Sequence, residues 1–463
     1  MRADKIIVEP FTKMVVIDYK GLKAVNQHGE VNIVGSIPIE MQQEYFYLVQ
    51  TQKLIKITAT EVSGESQILL YGRLTDCDIA VEGHTATMKI QVKTGTCLME
   101  QDRHTRTFQD KDITYKKILN ICNESYANND VILANGKGKN IPEFIVQYQE
   151  HDWEFIKRLA SYENTVIVPD TMTGGVKYYF GLPNFTKKVI PQNTHYKICK
   201  NLEEYEYKKA NGIRLSEEDC IYYEVATREI YEIGNRAEFL EKEFFIYRIE
   251  SEMRGSELYH INYLKSSQGL QEARQYNQKM RGAGLKATVK SVKEDKVQVS
   301  IKEDENKGKA GYRWFAFSTV YSSPDGSGWY CMPEPGDTVR LCFPSEKAPD
   351  AYVSSAVHEY SDERTNPELK FLKNRHGKEI CLSPDRILLT NNDGTYIEIS
   401  DKKGIRMKSS GSISMHAANQ IAITSQTDDI QLNAKSAIRL KQRNSAINIK
   451  DDITFEGMQV KLH

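Results

Sequence analysis

Between Ile387 and Ile449, pairs of apolar residues, each pair split by one further residue, return at a nearly fixed interval. The pairs are Ile387 with Leu389, Ile397 with Ile399, Ile405 with Met407, Ile413 with Met415, Ile421 with Ile423, Ile430 with Leu432, Ile438 with Leu440, and Ile447 with Ile449. From Ile397 onward the pairs start eight, eight, eight, nine, eight and nine residues apart. An i, i+2 spacing puts both side chains on one face of a strand, and the Ser, Asn, Gly, Lys and Asp between pairs suit solvated corners. The stretch is therefore a repeat of short strands, each with one face to bury.

Eight residues make one strand and a corner, too little to close a coil around a core. Either successive octads of one chain close a solenoid coil, or three chains each contribute one side of a prism. Self-closure would use up the octads in very few coils, near the lower limit for a stable repeat stack. An intertwined homotrimeric β-prism is the favoured reading, with a flat meander of short strands as the plain alternative. Its core would be the pairs from Ile397 and Ile399 to Ile447 and Ile449. At about 4.8 Å per layer such a rod is roughly 40 Å long, and closure leaves no lateral sheet edge.

The chain has 463 residues, enough for two or three domains. Its 62 basic and 63 acidic residues nearly cancel, which gives no reason to expect a nucleic-acid or anionic-membrane partner. The eight cysteines, Cys77, Cys97, Cys122, Cys199, Cys220, Cys331, Cys342 and Cys381, are dispersed without a C-x-x-C pair. They read as reduced, ordinary small apolar residues. The N-terminus lacks a continuous apolar signal core, and no run has the length of a membrane span. Synthesis and folding in the cytoplasm are expected, with export depending on other machinery.

The rest of the chain reads as mainly β. Strands are expected around Met14 to Ile17, Tyr45 to Val49, Leu54 to Ile57, Ile68 to Tyr71, and Met88 to Val92. A helical insert follows, with helices at Ile113 to Tyr126 and Asp152 to Tyr162. A second β-unit runs from about Val176 to Leu264, and a helix is expected from Ser267 to Met280, ended by Gly282. Alternating strands from Leu285 to Val357, among them Trp314 to Val320 and Trp329 to Met332, fit a small Greek-key barrel. The expected domains are 1–282, a hub of two β-barrels with the helical insert; 283–360, an OB-fold barrel; and 361–463, the triple-stranded β-helix.

The run Phe144, Ile145, Val146, Gln147, Tyr148, Gln149, Glu150, His151, Asp152, Trp153, Glu154, Phe155, Ile156, Lys157, Arg158, Leu159, Ala160, Ser161 resembles the signature of the VgrG family of contractile injection systems. That family is similar to the fused hub and puncturing spike of contractile phage tails. The turns Phe180, Gly181, Leu182, Pro183 and Gly336, Asp337, Thr338, Val339 match it as well. The resemblance is collinear over nearly the whole chain. It implies an OB-fold barrel followed by a trimeric β-helix, the object that the octads suggest independently. One departure is His151, which stands at a helix start where Ser or Thr is the usual cap. The chain stops at His463 with no toxin domain and no lysozyme-like insertion, so a bare spike is expected.

No catalytic, cofactor or metal site is expected. The ten histidines contain no His-x-His and no H-E-x-x-H arrangement. Gly282, Gly284 and Ala287 fit G-x-G-x-x-A only in the reverse of the dinucleotide context, and Gly136 to Lys139 lacks phosphate-loop spacing. Asp428 with Asp429, and Asp451 with Asp452, read as corner residues rather than sugar-cleaving pairs, because neighbours on a strand point to opposite faces. Trp314, Phe315, Trp329 and Tyr330 offer stacking surfaces, but the acidic Glu303, Asp304 and Glu305 beside them argue against nucleic acid. These aromatics are expected to fill the barrel and its subunit contacts.

Met458, Val460 and Leu462 continue the alternation and would leave an apolar blunt end. By resemblance a small PAAR-type tip protein, or an effector, would cover it; three copies of His463 on a three-fold axis could bind a metal ion instead, but a frayed terminus is the plainer reading. The function expected is that of a non-enzymatic homotrimeric spike, with a hexameric tube protein, baseplate proteins and the target envelope as partners. It would be assembled in the cytoplasm and delivered outside the cell on firing. The rival is a tail-associated polysaccharide depolymerase, whose trimeric β-helices usually have longer coils and carboxylates on an exposed groove.

Overall fold

The computed structural model describes residues 5–61, 64–136, 138–141, 143–192, 194–255, 257–307, 311–354, 360–456, 458 and 459. It divides into two compact units, Met1–His358 and Glu359–His463.

The first unit is mainly β. Its largest sheet has twelve strands, ten of them on one path. In order these are Lys5–Glu9, Leu54–Thr60, Ser66–Glu82, Thr85–Lys93, Glu30–Ile37, Val15–Ala24, Lys242–Arg254, Glu257–Lys265, Ile221–Thr227 and Tyr196–Lys200. The two expected β-units are thus halves of one open sheet. They meet where Val15–Ala24 pairs antiparallel with Lys242–Arg254, through Lys20 opposite Glu252 to Ala24 opposite Arg248. Each half covers its own core: Val8, Tyr19, Ile33, Ile57, Leu70 and Met88 in the first, Val168, Val225, Phe239, Ile246 and Leu264 in the second.

Among the described residues, four α-helices decorate this framework. The first, α1 (Gln42–Thr51), replaces the strand expected at Tyr45 to Val49. Aromatic content suggested a strand, but Met41, Tyr45, Leu48 and Val49 recur at helical spacing and pack on the first core. The insert supplies α2 (Tyr115–Asn123) and α3 (Asp152–Tyr162), both where the apolar spacing puts them. The last, α4 (Leu202–Ala210), was not anticipated. Its signals are local: the Asn201 side chain accepts from the Glu204 N–H at 3.0 Å, acids fill the first turn, and Lys208 and Lys209 close the last.

The helix expected from Ser267 to Met280 does not form; the segment is turn and irregular chain, with only a short 3-10 turn at Gln278–Met280. Leu270, Ala273 and Met280 are buried, as a helical face would have them. Here, however, polar groups bond outward. The Gln275 N–H donates to Ser161 Oγ at 2.9 Å, the Asn277 amide to the Tyr148 carbonyl at 2.8 Å, and Asn164 to the Glu272 carbonyl at 3.0 Å. Tertiary partners outweigh a modest helical preference.

The small barrel is a five-stranded sheet in the order Trp314–Ala316, Lys296–Ile301, Gly284–Lys293, Thr338–Cys342, Tyr352–Ser354. A bridge from Phe317 to Val353, with the Ser318 N–H donating to the Val353 carbonyl at 2.7 Å, draws its two outer strands together. Its core includes Val289, Val299, Phe315, Leu341 and Val353, and it takes in Phe144 and Val146 from the insert. Of the aromatics expected to fill it, only Phe315 does, at 6% exposed; Trp314, Trp329 and Tyr330 are at 37%, 57% and 73%. Trp329 to Met332 is also not a strand. It belongs to a loop that doubles back, the Trp329 N–H reaching the Tyr321 carbonyl at 2.8 Å, and Pro333 and Pro335 cannot donate to a ladder.

The run from Phe144 to Ser161 is strand Ile145–His151 running straight into α3. Gln147, Glu150, Asp152 and Arg158 are buried and paired. Arg158 Nε donates to Glu150 Oε1 at 3.0 Å and Nη2 to Oε2 at 2.7 Å, while Nη2 also reaches the Val146 carbonyl at 2.8 Å. Fully buried Asp152 accepts from Arg106 at 2.6 Å, Gln147 at 2.9 Å and Tyr126 at 2.8 Å. Burial opposes the charge on Arg158, but the Glu150 carboxylate and the Tyr162 hydroxyl together outweigh it and raise the guanidinium pKa. The His151 ring bonds the Asp102 carbonyl at 3.0 Å, and Glu154 accepts from the His151 N–H at 3.2 Å as in a capping box.

Two substitutions test these assignments. A Cβ on Gly269 would lie 1.9 Å from the Asp219 carbonyl oxygen. Gly269→Ala should therefore lower the unfolding free energy, by about 1–3 kcal/mol in denaturant melts. A helix there would instead gain roughly 1 kcal/mol from the same change. Arg158→Met strands the Glu150 carboxylate in the interior, and the same melts should show a loss of about 3–5 kcal/mol.

Candidate functional site: the apolar face of the repeat region

In the second unit the repeat begins as an antiparallel meander of five strands, Lys370–Lys373, Glu379–Ser383, Arg386–Thr390, Tyr396–Ser400 and Gly404–Lys408. The register aligns the octad pairs on one face. Ile380 and Leu382 stand opposite Leu389 and Ile387, which stand opposite Ile397 and Ile399, which stand opposite Met407 and Ile405. Directly opposed residues share a face of the ladder, so the pairs make one continuous apolar stripe.

A second meander closes the repeat, with strands Ile438–Gln442, Ser445–Ile449 and Ile453–Glu456. There Ile438 and Leu440 face Ile449 and Ile447, which face Ile453 and Phe455. Between the meanders, residues 409–437 form no strand. Ile413, Met415, Ile421, Ile423, Ile430 and Leu432 lie in this middle stretch, with the repeat intact in sequence and no ladder to hold it.

Within one chain the stripe faces outward. Ile405 is 71% exposed and Ile421 51%, and Ile397, Ile399, Met407, Ile413, Met415, Ile423, Ile430, Leu432, Leu440 and Ile449 are exposed as well. Ile438 and Ile447 are half-buried. The corners are polar and tightly turned. Asn392 takes a positive φ of 54° and donates its amide to the Gly377 carbonyl at 2.9 Å, stacking one corner on the next. Gly404, at φ 67°, supplies the turn before the fifth strand. On the opposite face Arg386 pairs with Glu398 at 3.0 Å.

Sequence reasoning missed both ends of the stripe. Ile380 with Leu382 starts it and Ile453 with Phe455 extends it, each with the same i, i+2 signature at a shorter interval. Of the expected tip residues, Met458 is fully exposed. Val460 and Leu462, with His463, lie outside the described residues. Asp428, Asp429, Asp451 and Asp452 are exposed and sit in bends between repeats rather than on a groove. Among the described residues no group of acidic, Cys and His side chains is placed to hold a metal ion, and no helix is long and apolar enough to cross a membrane.

No protein-family model matches the chain, and no curated protein matches it. Solved structures do. One is an E. coli component of the type VI secretion system, described as structurally similar to the T4 bacteriophage tail proteins gp27 and gp5. It aligns at a TM-score of 0.54 and 14% identity, over 75% of this chain and 99% of that one. The VgrG complex with PdpA from Francisella aligns in its half-lidded form at a TM-score of 0.51 and 12% identity, over 85% of this chain and 84% of that one. Its lidded form gives 0.52 and 11%, over 85% and 76%. At such identities the likeness speaks for the fold, which this chain shares with the VgrG complex and with the type VI secretion component.

Proposed function

We propose that this chain is the homotrimeric hub and spike of a contractile injection apparatus or phage-like tail, with a mechanical rather than an enzymatic role. One observation carries the reading: the octad side chains align on one face yet stay exposed, and residues 409–437 repeat the pattern with no strand partner in their own chain. Burying one Ile, Leu or Met side chain is worth about 1.5–3 kcal/mol. Three copies around an axis would bury every pair at once and give the middle stretch its missing ladder.

In this reading residues 1–282 are the hub, seated on a hexameric tube protein and held by baseplate proteins. Residues 283–360 form the collar and 361–463 the needle. The stripe from Ile397 to Ile449 is the needle core. Met458, with Val460 and Leu462, would dock a PAAR-type tip protein or an effector. Sheath contraction would drive the tube, and the stiff needle would concentrate the force on the target envelope. The particle would assemble in the cytoplasm and leave the cell on firing.

Light scattering tests the assembly. The full chain should give a mass three times 53.1 kDa, and a version ending near Tyr360 should lose or weaken it. A monomeric full chain would overturn the reading. In the full chain, Ile421→Asp would set three carboxylates in one needle layer and should abolish the trimer while the region before His358 keeps its thermal transition. A protease-resistant trimer of that variant would count against the intertwined core.

A further inference from the structure

Strand Arg103–Phe108 pairs with Ile145–His151 along one edge only. No strand covers the other edge among the described residues, yet its backbone groups are satisfied. A tripeptide of the small barrel does it, Asp304, Glu305 and Asn306. The Glu305 N–H donates to the Thr105 carbonyl at 3.1 Å, and the Thr105 N–H donates to Glu305 Oε1 at 2.9 Å. The Thr107 N–H donates to Asp304 Oδ1 at 2.9 Å, and Asn306 Nδ2 donates to the Thr107 carbonyl at 3.3 Å. The Thr107 hydroxyl also bonds Asp304 Oδ2. One backbone and three side-chain groups thus do what a paired strand would do.

The hub holds the tripeptide with charge as well. Glu305 Oε2 lies 2.8 Å from His104 Nδ1 and 3.2 Å from Arg106 Nε, and Arg106 is the partner of buried Asp152. Farther along the same junction the Arg313 N–H of the barrel donates to Gln109 Oε1 of the hub at 3.2 Å.

We propose that Asp304–Asn306 is a strap that fixes the seat of the small barrel on the hub, so that the two move as one body. The inference does not depend on the trimer. The test is amide hydrogen exchange on the full chain carrying Asp304→Ala with Glu305→Ala. Exchange at Thr105 and Thr107 should rise about tenfold or more, as expected when charge-assisted bonds are lost. Exchange at the Arg313 amide, which the strap does not touch, should rise with them, while barrel strands Gly284–Lys293 and Lys296–Ile301 keep their protection. Glu305→Gln retains an acceptor oxygen and should preserve most protection at Thr105. Unchanged exchange at Thr105 and Thr107 would overturn the strap. So would a rise confined to those two amides, which marks a local edge cover, or a uniform loss through the barrel strands, which marks a role in the barrel's own folding.

Discussion

Arg158 and Glu150 face each other in the interior, and neither is stable there as a lone charge. Glu150 sits near the end of the strand that leads into α3, and Arg158 sits on α3 itself, so their two-pronged contact fixes the angle between strand and helix. The strand then becomes a common wall. One side of it gives Phe144 and Val146 to the barrel core, and Ile145 goes to the core of the insert. Asp152, at the first position of α3, gathers Arg106 from the adjoining strand and Tyr126 from beyond α2. The irregular segment that replaces the expected helix is tied to the same place through Asn277.

Much of this was legible because it is local. The octads announce one-sided strands, and α2 and α3 show their apolar faces and charge order within a dozen residues. The segment from Ser267 to Met280 was misread because Leu270, Ala273 and Met280 keep helical spacing although the surrounding polar groups are claimed by Ser161, Tyr148 and Asn164. Nothing in the segment itself says that Gly269 lies under the Asp219 carbonyl. The joining of the two halves of the large sheet was also out of reach, since it pairs Lys20 with Glu252, far apart in the chain. The strand expected at Trp329 to Met332 misled because aromatic residues favour strands, whereas this segment loops back onto the Tyr321 carbonyl.

The site had a different kind of legibility. Its residues were visible as a period, and the register places them as the period demands, on one face. What the sequence concealed was where a chain can make its own ladder. Antiparallel turns at Asn392, Gly394 and Gly404 let the first part fold on itself, whereas residues 409–437 have the same apolar pairs and no such pairing.

The bare stripe also bears on the life of the chain before assembly. A run of apolar, strand-forming segments without backbone partners is the composition that drives cross-β stacking. Left alone at high concentration, this stretch would join unrelated copies as readily as the right ones. The large sheet and the small barrel precede it in the chain and own their cores, so they can be folded before the stripe leaves the ribosome. In the trimer proposed above, tethering three such bodies would raise the local concentration of their stripes and favour closure among those three over capture of strangers.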